Sequence, residues 1–233
     1  LFVHLPKEEV LFVGDVIMPF AGAPFNEEGN VNALLAAIDL IASLDPQRIL
    51  HGHQPLTAFV PTPTRAIALR RHLAWLIEEV RVRIQAGMAR SDIHRANLIP
   101  PSIFTDPRSQ QFFLVMREQV INRLYDQSVG YWEADLSGLE TLGAADYGAM
   151  MKRYLEFDEQ DVADLLQTMI DDGDYQLAER TSQWALTQWP DSETIATRRR
   201  DASLRLRIKY QAYNPFKFIL YSEQANAPVP PLP

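Results

Sequence analysis

Val10-Leu11-Phe12-Val13-Gly14-Asp15 and Arg48-Ile49-Leu50-His51-Gly52-His53 decide how this chain is read. Each is a short apolar run that closes on a glycine followed by a residue able to bind a metal. A run of that length predicts a buried strand. The Gly-Asp or Gly-His at its end sets a carboxylate or an imidazole on a loop at the rim of a sheet, and divalent ions accept both donors. Between the two strands, residues 32–43 have the apolar spacing of one amphipathic helix, stopped before Asp45-Pro46. An isolated Gly-Asp is more often a turn or capping residue.

Upstream, Phe2-Val3-His4-Leu5 and Leu11-Phe12-Val13 flank the turn-like Pro6-Lys7-Glu8-Glu9, which predicts a β-hairpin with Leu1, Val3 and Leu5 on one face. The chain opens at Leu1 inside this alternating strand, and the expectation is a fragment of a longer protein. The loop after Asp15 begins Val16-Ile17-Met18-Pro19-Phe20 and runs on through Phe25. Met18, Phe20 and Phe25 can line an apolar substrate mouth or pack beneath the loop. Asn26, Glu27, Glu28 and Asn30 form a polar cluster that can contact substrate, and capping of the following helix is the better account. His51 lies two residues before His53 and points the same way in an extended segment. It reads as a partly buried strand histidine, with a donor to a metal ligand or a substitute ligand as the sharper alternatives.

Beyond the connector Val60-Pro61-Thr62-Pro63-Thr64, the chain turns helical. Residues 65–86 predict a long helix capped by Thr64 and stopped at Gly87, with Leu69, Leu73, Leu76, Ile77, Val80 and Ile84 as its buried stripe. Residues 91–97 and 107–125 predict two more, the latter offering Phe112, Phe113, Val115, Met116, Val120 and Leu124. His72 is expected at the rim of its helix, and His4 and His94 in solvent. Past residue 144 the pattern is one of helical hairpins. Asp172-Gly173-Asp174-Tyr175, Ala178 and Trp189-Pro190-Asp191 look like one tetratricopeptide-type unit, without a sustained repeat. The aromatic segment Tyr210, Tyr213, Phe216, Phe218 and Tyr221 is expected to dock on the helices or on a second subunit.

Composition narrows the function. The 233 residues are 47% hydrophobic with a formal charge of −8, enough for a sizeable core and wrong in sign for nucleic acid. Arg198-Arg199-Arg200 therefore reads as a solvated helix face paired with acids. No apolar stretch has the length of a membrane span. The chain has no cysteine, which excludes disulfides, thiolate metal sites and cysteine nucleophiles within it. A cysteine-free chain suits cytosol and periplasm equally.

The order strand, Asp15, loop, helix, strand, His53 resembles the C-terminal half of a metallo-β-lactamase-fold hydrolase. That resemblance implies that Asp15 bridges two metal ions and acts in catalysis, and that His53 binds one of them. It implies Zn2+, two per intact protein, or another divalent metal, and attack by metal-bound hydroxide on an ester-like bond (sulfate, phosphate, carboxylic or lactone). The family's His-x-His-x-Asp-His motif does not occur here.

A Gly-His strand end, a long helix, Leu98-Ile99-Pro100-Pro101, a helix into Tyr125, then Gly130-Tyr131-Trp132-Glu133 is similar to the alkyl sulfatase branch of that superfamily. The branch appends a helical dimerisation domain, whose closing segment resembles Gly173-Asp174-Tyr175 through Tyr210-Gln211-Ala212 and Tyr221. Its members usually follow the first strand with glutamate and a loop containing histidine and asparagine. Here the acid is Asp15 and the loop is apolar.

The expectation is an α+β chain: residues 1–62 as the C-terminal part of a metallo-β-lactamase αββα sandwich, residues 63–233 as an all-α, tetratricopeptide-like dimerisation domain. The partners implied are a small ester-like substrate and a second copy in a two-fold homodimer. The rival reading is a non-catalytic tetratricopeptide-like scaffold whose α/β part has lost metal binding.

Overall fold

The computed structural model describes residues 1–14, 16, 31–50, 62–105, 107–130, 132, 138–211 and 214–228. These form an α+β chain, mostly helical with one small sheet. They fall into two compact units, Leu1–Leu139 and Glu140–Pro233.

In unit 1, strands β1 (Val3–Leu5), β2 (Val10–Phe12) and β3 (Arg48–Leu50) lie in that spatial order. The first pair is antiparallel with His4 opposite Leu11, as the hairpin reading requires. The second is parallel with Leu11 opposite Ile49. A parallel pair needs a crossover, and helix α1 (Val31–Leu44) provides it. Ile38 and Ile41, one turn apart on α1, are fully buried in one core with Leu11, Val13 and Ile49. The opposite sheet face carries Val3, Phe12 and Leu50 side by side, and these remain exposed.

Helix α2 (Pro63–Gln85) buries Leu69, Leu73, Leu76, Ile77 and Val80, the stripe read from the sequence. Its start differs from expectation. Thr62 is the cap residue, without a side-chain bond, and Pro63 enters the first turn because proline already holds a helical φ. Helix α3 (Arg90–Arg95) and a 3-10 turn (Pro101–Thr105) lead into helix α4 (Pro107–Val129), which buries Phe113, Met116, Val120 and Leu124. Phe112 and Val115 lie outside the residues whose side chains are described. Helix α2 packs on α1 and α4, so these helices share a single core with the sheet. The boundary between the two compact units falls after Leu139.

Unit 2 contains helices α5 (Ala144–Arg153), α6 (Glu159–Asp171), α7 (Tyr175–Ala185), α8 (Glu193–Tyr210) and α9 (Pro215–Gln224). Asp158 and Asp161 cap α6 reciprocally, each carboxylate accepting the other's backbone N–H at 2.9 Å. The α6–α7 turn passes over Gly173, as expected. The Ser192 hydroxyl accepts from Ile195 N at the start of α8 and donates to Glu159 Oε1 at 2.6 Å, so one side chain ties α8 to α6. Gly148 marks the closest approach of α5 to α7. A Cβ there would stand 2.4 Å from the Trp184 carbonyl oxygen, a backbone atom that cannot step aside. Next to it, Tyr147 stacks on Trp184 with centroids 4.4 Å apart.

Of the aromatic segment, Tyr210 closes α8, Phe218 and Tyr221 lie on helix α9, and Tyr213 and the side chain of Phe216 lie outside the described residues. Asn214 caps α9 through a 3.1 Å bond from Lys217 N, and Pro215 occupies its first turn. Tyr210 and Phe218 are buried within unit 2, and Tyr210 stacks on Tyr221.

Candidate metal centre

The parallel pairing of β2 with β3 is what builds the candidate site. Apolar residues at alternate positions, Leu11 on β2 with Val13 just beyond it, and Ile49 on β3, share one core with α1. The pairing continues past the strand ends, with Val13 N donating to Leu50 O at 2.9 Å. Both strands therefore leave the sheet at one edge, side by side. Gly14 follows with φ +57°, a left-handed conformation that glycine adopts without strain, and Val16 N donates back to Val13 O at 3.4 Å. The chain thus turns sharply as it leaves β2.

Asp15, Met18, Phe20, Phe25, His51 and His53 all lie outside the described residues, as do Asn26, Glu27, Glu28 and Asn30. What the structure describes is the strand pair that precedes Asp15 and His51 in the sequence. Among the described residues, no group of three or more His, Asp or Glu side chains could hold a metal ion.

The remaining histidines take structural places. His72 is 2% exposed rather than at a helix rim, with Nδ1 2.9 Å from Ser102 Oγ and its ring edge-on to Phe113. The reason is that α2 is covered on two sides, by α1 and by α4, so a position beside the main stripe is also interior. Ser102 was the missed partner, and its only signal was a place just after Pro100-Pro101, where the chain must bend. His94 is partly buried, with Nε2 2.9 Å from Asn122 Oδ1, rather than solvated. His4 is partly buried in the hairpin.

In unit 2 the Tyr221 hydroxyl is held above its ordinary pKa of 10.0. Burial is the main cause, followed by the nearby Tyr210 and Glu179. Glu179 is itself buried and accepts both Nε and Nη2 of Arg199 on one oxygen, at 3.2 and 3.0 Å. This cluster clasps α7 to α8 and α9.

No family model matches the chain, and no curated protein matches it. Solved structures do. The chain is similar to the stereoselective inverting sec-alkylsulfatase Pisa1 from Pseudomonas sp., at 17% identity and a TM-score of 0.75. The match covers 98% of this chain and 38% of that one. A double mutant of the same sulfatase matches with the same identity, coverage and TM-score. The chain thus spans 38% of the length of the structures it resembles, and at 17% identity the likeness is one of fold.

Proposed function

We propose that this chain is part of a metal-dependent hydrolase of the metallo-β-lactamase superfamily, with Asp15 and His53 as metal ligands and an ester-like bond as the target. The carrying observation is the register of β2 and β3. Phe12 stands opposite Leu50, and Asp15 and His53 are each the third residue beyond that pair. Parallel neighbours run about 4.8 Å apart, and three residues reach at most about 11 Å. This common starting point supports a shared metal site for the two side chains. The donor chemistry fits: a carboxylate has two oxygens and can join two cations, and an imidazole gives one nitrogen. Bound there, divalent ions supply an acidified water and positive charge for a developing oxyanion. Zn2+ is the first ion to test.

In this reading residues 1–62 carry the ligands and residues 63–233 serve assembly into a homodimer. The exposed sheet face of Val3, Phe12 and Leu50 supports a sandwich, because such a face is normally covered by a second layer. The solved relative is an alkyl sulfatase, which makes a sulfate ester the first substrate class to try. The apolar loop through Met18, Phe20 and Phe25 lacks the histidine usual in that branch, so carboxylic, phosphate and lactone esters belong in the same screen.

Titration of the chain with Zn2+ tests the ligands directly. Weak binding is expected, since Asp15, His53 and at most His51 contribute. Asp15→Ala and His53→Ala should each weaken it at least about tenfold. Binding unchanged in both variants removes the metal reading and leaves the scaffold reading in its place.

A further inference from the structure

Helix α5 has two faces of opposite kind. Gly148 and Met151 are buried within unit 2, while Asp146, Met150 and Arg153 are exposed. Asp146 and Arg153 stand about two turns apart, roughly 10 Å along the axis, so they share one edge of the helix. Met150 lies close to midway between them and is 42% exposed. Around this stripe sit Tyr154, 80% exposed, Leu142, 60%, and Leu155, 49%. Helix α5 thus carries exposed large apolar side chains along its length and at both of its ends, the kind of surface that marks a contact site.

The charges on the stripe are unspent. Asp146 uses one carboxylate oxygen to accept the Gly143 N–H at 2.8 Å, which leaves the other available. Arg153 makes no hydrogen bond or ion pair among the described residues. With an acid at the start of the helix, a base at its end and an apolar centre, the stripe is complementary to itself when reversed. The aromatic side chains that sequence alone offered for assembly are partly used elsewhere, since Tyr210 and Phe218 are buried in their own unit.

We propose that α5 pairs antiparallel with α5 of a second copy of this chain, about a two-fold axis passing beside Met150. The axis sets Met150 on the partner's Met150. Because Asp146 and Arg153 share an edge, it also brings Asp146 against the partner's Arg153, and Arg153 against the partner's Asp146. Leu142, Tyr154 and Leu155 then flank the contact from both sides. A parallel arrangement would set like charges together at both ends. This deepens the homodimer part of the proposed function and is independent of the metal ligands.

Two charge reversals test it by sedimentation of the full chain at micromolar concentration. In Arg153→Asp both contacts of a self-pair become acid on acid, and in Asp146→Arg both become base on base. Each variant should self-associate about tenfold or more weakly than the unmodified chain. An equimolar mixture pairs opposite charges at both contacts and should restore association to within a few-fold, which a merely misfolded variant could not do. If both variants dimerise like the unmodified chain, the α5 surface is wrong while pairing of copies stands. A monomeric unmodified chain overturns both. Variants that weaken but fail to rescue each other overturn the antiparallel geometry. None of these outcomes bears on Zn2+ titration, so the hydrolase reading is judged separately.

Discussion

The helices of unit 2 and the sheet of unit 1 dispose of their apolar surface in different ways. In unit 2 cover comes from helices near in sequence, α5 on α7, α6 on α7 and α8, α7 on α8 and α8 on α9. In unit 1 cover comes from far away in sequence. Leu11 and Ile49 are buried with Ile38 and Ile41 of the crossover helix and with residues of α2 and α4. One layer of helices can cover only one side of a sheet, and Val3, Phe12 and Leu50 on the other side are 45%, 40% and 39% exposed. Unit 2 buries its own core and keeps the exposed stripe on α5, while unit 1 leaves a sheet face that a further layer can cover.

The comparison breaks first at its most buried points. Leu11→Ala removes a fully buried side chain from unit 1 and should cost about 3 kcal/mol. Gly148→Ala forces a methyl against the Trp184 carbonyl in unit 2 and should cost about 2 kcal/mol. Hydrogen exchange reads each loss in its own place, on β2 and α1 for the first and on α5 and α7 for the second. A Gly148→Ala variant as stable as the unmodified chain would mean that the close approach of α5 to α7 is not real.

A smaller effect is expected one residue along the same strand. Phe12→Ser, on the uncovered face, should cost no more than about 1 kcal/mol in urea unfolding, against about 3 for Leu11→Ala. A loss as large as that of Leu11 would show that the face is already covered.

The smallest effect belongs to unit 2. The folded pKa of Tyr221 is raised, so above about pH 10 the unfolded chain loses this proton before the folded one does. Its contribution to stability is intact below pH 10 and is lost as pH climbs through the folded value. Tyr221→Phe should flatten that alkaline decline without altering stability at pH 7. An unchanged slope between pH 10 and 11 would locate the alkaline loss in another group.

Much of this was legible in the sequence where the signal is local. Alternation in Phe2-Val3-His4-Leu5 and the turn after it gave the hairpin, and the stripe from Leu69 to Val80 gave the buried face of α2. Helix α9 was not legible as a helix. Its aromatic residues have modest helix propensity, and they drew attention away from Asn214-Pro215, a cap followed by a first-turn proline. The burial of His72 was hidden because sequence shows one stripe per helix, and α2 is covered on two sides. For the candidate site, Gly14 and the paired strand ends lie within the described residues, and the proposed ligands Asp15 and His53 do not.

The crossover between β2 and β3 also has a consequence in time. Leu11 gains its parallel neighbour only when the chain has extended through α1 to Ile49, so the closure entropy of that whole loop is spent before any pairing rewards it. The turn over Gly173 closes across a few residues and can form on the microsecond scale of local helix pairs. During synthesis β2 therefore waits, paired with β1 along one edge and open along the other, until β3 arrives. Early in the life of the chain, the frame of the proposed metal centre is also the segment most open to capture by another nascent strand.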